Sequence, residues 1–262
     1  LDSDLSREGR VRSAVGEGLE YLVATDHNFI TDYAPTIERL GVQDWASSMI
    51  GIELTTLETG HFNGYPLKRD VGAITKGSFE WSLKPPGEIF DAMRALGAYG
   101  PEHTIVQANH PRDDMLGYFA QYDLDALTAE IPPRSASGGI AGVMAPSGPA
   151  FADAEGNSTF SFDFDAIEVL NGTLPLQVHH EIRPAELAGR DMPEETLKGL
   201  EAAEAGAIMC EDGEVAFPGA VDDWFNLLNT GRRYIATANS DSHYNMRPGY
   251  PRTYVASDNT CP

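Results

Sequence analysis

Short runs of β-branched and other apolar residues recur along this chain, and one after another ends on an imidazole or a carboxylate. Tyr21–Thr25 (YLVAT) runs into Asp26-His27-Asn28, and Met49–Leu54 ends near Glu53. Thr104–Ala108 leads to Asn109-His110-Pro111, and Tyr234–Ala238 to Asn239-Ser240-Asp241-Ser242-His243. Ala166–Leu170 (AIEVL) leads instead to Asn171-Gly172. Runs this short, bounded by turn residues, read as buried strands. Helical patterns lie between them. Ser6 caps one that runs through Gly16, with Leu5, Val11, Ala14 and Val15 on its inner face and Gly18 as its stop. Pro85 opens a second through Ala95, closed near Gly97, and Val221–Leu228 forms a third. The alternation predicts an α/β fold.

The chain has 262 residues, read here as a single domain. About Arg112 to Phe162 it is rich in Gly, Pro, Ser and Ala, which predicts a long inserted loop or lid. Arg183–Val215 is acidic, partly helical in pattern and peripheral. The formal net charge of −22 repels a polyanion, so extended nucleic-acid binding is not expected. No apolar run approaches the roughly 18 residues that would span a bilayer. No signal peptide stands at the start, and the chain reads as soluble, with a lean to a secreted or periplasmic setting. The two cysteines, Cys210 and Cys261, form no CxxC pair, which excludes a zinc cluster of thiolates. A disulfide between them, and the redox compartment, stay open.

In a barrel of parallel strands the C-terminal strand ends open on one face, so side chains distant in sequence meet there. Imidazoles and carboxylates brought together in this way are the ligand set of Zn²⁺, Mn²⁺ or Fe²⁺. His27, Glu53, His110, Asp241 and His243 are the residues so placed. A competing reading pairs Ser240 or Ser242 with His243 as a hydrolytic triad, but no Gly-x-Ser-x-Gly elbow accompanies it. Phosphate-cradling glycine motifs are absent.

The run Val23-Ala-Thr-Asp-His-Asn28 resembles the second motif of the PHP (polymerase and histidinol phosphatase) superfamily, and Gly51-Ile-Glu53 its glutamate motif. Gly60-His-Phe-Asn63, Asn109-His-Pro111 and Asn239-Ser-Asp-Ser-His243 resemble the later ones. VATDHNFITDYAP, GIELTT, GHFNGYPL and IEVLNG together resemble the carbaryl hydrolase-like subgroup, from Asp2 to about Val255. The resemblance implies a distorted (β/α)7 TIM-like barrel carrying two or three divalent metal ions (Zn, Mn or Fe). It implies as ligands Asp2, His27, Glu53 (bridging two metals), His61, His110, Asp241 and His243. Asp26 then stands behind the ligands, and Asn28 and Asn171 orient ligands or substrate or simply shape turns. The family's His-x-His should stand just before Asp2, and the expectation is that this sequence is a fragment beginning downstream of it.

The activity implied is hydrolysis of a small-molecule ester by metal-activated water. Glu53, Asp241 and His243 are the catalytic candidates, and Arg112 and Arg247 candidate anion contacts beside Asn171. A phosphoester is the leading substrate, a carbamate or carboxylic ester the alternative. A catalytically degenerate metal-binding module is the non-enzymatic reading.

Overall fold

A computed structural model describes residues 5–57, 59–72, 77–113, 116–125, 128–131, 152–153, 156–173, 219–243 and 248–256, with the backbone of 181–184, 208–209 and 214–217. Helix α1 (Arg7–Gly16) begins at Ser6, whose hydroxyl accepts the Gly9 N–H at 3.1 Å, and it buries Val11 and Ala14. Strand β1 (Tyr21–Ala24) follows, then α2 (Ala34–Leu40), which ends on Gly41 in the left-handed conformation. Strands β2 (Ser47–Ile50) and β3 (Ile52–Thr55) are successive pieces of chain separated by Gly51. Strand β4 (His61–Tyr65), α3 (Pro86–Ala95), β5 (Ile105–Ala108), the short α4 (Tyr118–Gln121) and β6 (Ala166–Asn171) come next. The order closes with β7 (Glu181–Pro184), β8 (Ile208–Met209), β9 (Glu214–Phe217), α5 (Ala220–Asn229) and β10 (Ile235–Asn239).

The implied closed (β/α)7 barrel is not what these strands form. They make a five-stranded mixed sheet ordered β10-β6-β5-β4-β3, a two-stranded parallel sheet β1-β2, and a three-stranded sheet β7-β9-β8. The α/β content stands, but β4 runs antiparallel to both β3 and β5. Thr55 pairs with His61, so β3 and β4 are joined by residues 56–60 alone. A link that short turns the chain back and cannot hold the crossover a parallel neighbour needs. Of the acidic stretch Arg183–Val215, the described residues contribute backbone to the three-stranded sheet, and the rest, on which the partly helical expectation falls, lies outside the described residues.

Gly51 is where the chain passes from one sheet to the other. A Cβ there would lie 2.9 Å from Gly64 O and 3.0 Å from Ala24 O, so β1 and β4 approach too closely for any side chain.

The large sheet has two different faces. Side chains alternate along a strand, and paired residues share a face. Leu54, Phe62, Val106, Ala108 and Ile167 lie in the main apolar core, with Ile89, Phe90 and Met93 of α3 and Leu227 of α5. Tyr118, Phe119 and Tyr122, expected in a loop, are at most 2% exposed in that core, and the Tyr118 ring stacks on Phe160 at 4.4 Å. Residues 132–150 of the same stretch lie outside the described residues. The alternate positions are polar and also buried: Glu53, His61, Asn63, Gln107, Glu168 and Thr237 are each at most 9% exposed. Among the described residues no helix is long and apolar enough to cross a membrane.

Candidate metal centre

Glu53 leaves β3 on the polar face and lies among imidazoles. Its Oε2 is 2.7 Å from His27 Nδ1, and its Oε1 is 3.6 Å from His61 Nδ1 and 3.9 Å from His110 Nε2. His61 begins β4, which the β3–β4 register sets beside Thr55 and hence on Glu53's side. His110 follows β5, with its backbone at φ +26°, and Asp241 follows β10 at φ +44°. Left-handed backbone disfavours residues other than glycine, and such strain at strand ends accompanies functional sites. His27 follows β1 and forms a parallel bridge with Glu53, so the β1 chain end lies against β3 although β1 itself bonds to β2. Asn28 holds that junction: its side chain accepts the Thr55 N–H at 3.0 Å and donates to Thr55 O at 3.3 Å.

Two imidazole pairs flank the carboxylate. His61 Nδ1 and His110 Nε2 face each other at 3.1 Å, and His27 Nε2 and His243 Nε2 at 3.2 Å. In the second pair His243 Nδ1 faces the Asp241 carbonyl at 2.8 Å, and His27 Nδ1 faces Glu53 Oε2 at 2.7 Å and the Thr55 hydroxyl at 2.5 Å. If both Nδ1 atoms carry their protons, both Nε2 atoms present lone pairs to each other, which repel unless a proton or a metal cation lies between them. In the first pair the outer atoms, His61 Nε2 and His110 Nδ1, are buried with no hydrogen-bond partner among the described residues. A buried polar atom left so costs about 1–3 kcal/mol.

The electrostatics suit a cation. Burial pushes the Glu53 carboxyl up, but the hydrogen bonds and charges of His27 and His61 outweigh it and hold the group well below the usual carboxylate range. Burial, and then the neighbouring His61, depress His110, favouring the neutral imidazole that a metal requires. Glu53, His61 and His110 together present ligand atoms within 4.8 Å of one another. Neutral imidazoles and an anionic carboxylate converging in this way fit a divalent transition metal.

His27, Glu53, His61, His110, Asp241 and His243 all line one cleft of about 500 Å³, with Asp113, Leu116 and Thr173. The expected convergence of distant strand ends is therefore present without a closed barrel. Asp2 and Arg247 lie outside the described residues. Arg112, expected as an anion contact, is not among the residues that line the cleft. It is 9% exposed and turned inward, donating through Nε and NH2 to the Asp223 carboxylate at 2.6 and 2.5 Å and through NH2 to Leu124 O at 2.8 Å. Three of the five guanidinium N–H donors are thus taken by a buried carboxylate and a backbone carbonyl. Asp26 accepts from Tyr33 OH at 3.2 Å. Ser242 Oγ accepts from Arg10, while the His243 ring nitrogens face Asp241 O and His27, an arrangement unlike a base beside a serine.

A supporting polar layer escaped the sequence reading. Tyr65 OH donates to Gln107 Oε1 at 3.0 Å, Gln107 to Asn109 Oδ1 at 2.9 Å, and Asn109 to Glu53 Oε1 at 2.8 Å. Glu168 accepts from His110 N at 2.6 Å, Asn171 Nδ2 at 2.9 Å and Asn239 Nδ2 at 3.0 Å, and Asn171 Nδ2 also reaches Asp241 Oδ2 at 3.1 Å. Burial raises the Glu168 carboxyl to about 8; the Asn171 donor opposes the shift and the Asp241 charge adds to it. The signal was present as polar residues at every second strand position, in Glu53/Thr55, His61/Asn63, Gln107/Asn109 and Thr237/Asn239.

The sequence matches no protein-family model and no curated protein.

Proposed function

We propose that the chain is a metal-dependent hydrolase that cleaves a small-molecule ester, with a phosphoester as the leading substrate class. The observation that carries this reading is the pair of imidazole pairs, facing at 3.1 and 3.2 Å on either side of the buried Glu53. The motif resemblance to the PHP superfamily supports it, and the subgroup resemblance keeps a carbamate or carboxylic ester as the alternative on the same site. Glu53, His61 and His110 would hold one cation, and His27, His243 and Asp241 would hold a second. Divalent ions there supply Lewis acidity, which makes water nucleophilic near neutral pH and stabilises developing negative charge. Glu53 contributes its carboxylate between the two groups. The Asp241 carbonyl keeps the His243 Nε2 directed into the cleft, and the Asp241 carboxylate is placed to accept a proton there.

Elemental analysis of protein prepared without chelator, paired with Glu53→Gln, tests the proposal. The expected result is more than one bound Zn, Mn or Fe per chain. Glu53→Gln keeps the shape but offers an amide nitrogen that cannot bind a cation. It should stay folded, lose metal and lower turnover of bis(p-nitrophenyl) phosphate by at least about a hundredfold. A p-nitrophenyl ester run in parallel separates the two substrate classes. A chain that neither carries nor takes up metal ends the proposal, as does a Glu53→Gln protein with full metal and unchanged turnover.

A further inference from the structure

We infer that Glu168 is the positioning residue of this centre, a buried carboxylate that sets His110 and Asp241 in place together. The inference rests on the metal reading above and goes beyond it, because Glu168 belongs to no ligand group and does not line the cleft.

Glu168 sits on β6, between β5 and β10, both parallel to it. The β6–β10 ladder is regular up to Glu168 opposite Thr237 and then slips: Ala238 pairs with Leu170, so Val169 has no partner. On a regular strand residues three apart point to opposite faces. Across this bulge the parity changes, and the Asn171 amide comes within 2.9 Å of Glu168 Oε2. A bulge re-aims a side chain in this way beside functional sites. The β6 chain therefore presents both residues to the polar face.

From there one carboxylate ties three strand ends. Oε2 takes the His110 N–H at 2.6 Å, at the residue whose backbone stands at φ +26°. The same oxygen takes Asn171 Nδ2, which bridges to the Asp241 carboxylate at 3.1 Å. Oε1 takes Asn239 Nδ2 at 3.0 Å, two residues before Asp241. Thr173 Oγ1 secures the other side of that loop by donating to Asp241 O at 2.8 Å. His110 and Asp241 lie on different strands and both have left-handed backbone, so neither loop would rest in that shape alone. Glu168 is the group common to both. Partners standing behind metal ligands in this manner fix ligand orientation and so control metal affinity.

The experiment is a Co²⁺ titration of the whole chain and of Glu168→Gln, read by the visible d–d bands. Zn²⁺ competition gives the affinity, and urea unfolding is followed on the same preparations. Glutamine keeps the volume and one acceptor, and the Asn239 amide can turn to meet its NH2. The folded variant should bind Co²⁺ about 10–100-fold more weakly, the range for such supporting partners, with shifted bands. Glu168→Asp, which keeps the carboxyl group but shortens the reach by one methylene, should weaken binding in the same direction and serves if the glutamine variant does not fold. A carboxylate that only stabilises the fold would lower the urea midpoint and leave affinity and bands unchanged, and that result overturns the inference. Loss of fold in both variants overturns it too, in favour of a structural carboxylate. Failure of the unaltered chain to take up Co²⁺ would end the metal reading itself, whereas uptake with an unchanged Glu168→Gln ends this inference alone.

Discussion

Arg112 and Glu53 show how one residue's partners decide whether its charge is available. Both are buried beside the same cleft, yet Glu53 is surrounded by imidazoles that can share a cation with it, and Arg112 is neutralised by Asp223. The Arg112–Asp223 pair is at most 7% exposed at either side chain, so removing one partner strands a buried charge. Arg112→Ala should destabilise the protein by about 3–5 kcal/mol in urea unfolding. The Arg112→Met/Asp223→Leu double variant should lose much less, since it leaves no charge behind. A role as an anion contact predicts the opposite pattern, a raised KM with unchanged unfolding, and observing it would reverse the assignment. Lysine is a poor replacement here, because the two oxygens of Asp223 are matched by a planar fork.

At the scale of elements, the unit that makes the site is the β3–β4 hairpin with the β1 chain end laid against it. The hairpin register puts Glu53, Thr55, His61 and Asn63 on one face while Leu54 and Phe62 enter the aromatic core on the other. Phe62 there meets Phe90 and Tyr118 edge-on at 5.0 and 4.9 Å, which pins the register of the polar face by packing the apolar one. The hairpin depends on Gly51, where the chain changes neighbours. Gly51→Ala would press a methyl against two carbonyl oxygens, at 2.9 and 3.0 Å, that belong to different strands. Overpacking of this kind should cost about 1–3 kcal/mol, visible as a lower urea midpoint with unchanged slope. It should also weaken metal uptake, because His27 follows β1 and His61 lies on β4, the two chains forced apart. An alanine variant with wild-type stability would show that β1 and β4 can separate freely there.

For the whole molecule, alkaline pH offers a test of how deeply its tyrosines are buried. Burial raises Tyr65 and Tyr234 from an ordinary value of 10.0 to about 12, and raises Tyr118 well above it. For Tyr65 the charges of Asp165 and Glu168 add to the effect, whereas for Tyr234 Arg232 opposes it. A phenol whose folded pKa exceeds its unfolded one favours the folded state fully below the unfolded value. That contribution is lost as pH climbs through the folded value. Stability should therefore hold to about pH 10 and fall between about pH 10 and 12. Urea midpoints across that range, with tyrosinate absorbance at 295 nm, measure it. Absorbance from these tyrosines rising near pH 10 in the folded protein would contradict the buried placement.

What could be read locally was read well. Ser6 as a cap, Pro85 and Gly97 as punctuation, and apolar runs ending on His27, Glu53, His110 and Asp241 all depend on residues within a few positions of one another, so α1, α3, α5 and strands β1, β5, β6 and β10 were legible, with β2 and β3 read as one run. Helices α2 and α4 and strands β4, β7, β8 and β9 were not: α2 and α4 are short, and β4 is built of mixed polar and apolar residues in GHFNGY. The sequence by itself determined that the chain alternates strands with helices and that imidazoles and carboxylates stand at the strand ends. Only the tertiary structure decided that β4 runs antiparallel, that His27 meets His243 across 216 residues, and that Arg112 turns to an aspartate 111 residues away. It also placed Glu168 beneath both His110 and Asp241. Periodicity and capping are local properties of a chain, whereas strand direction, bulges and the choice of partner for a buried charge are set by non-local packing.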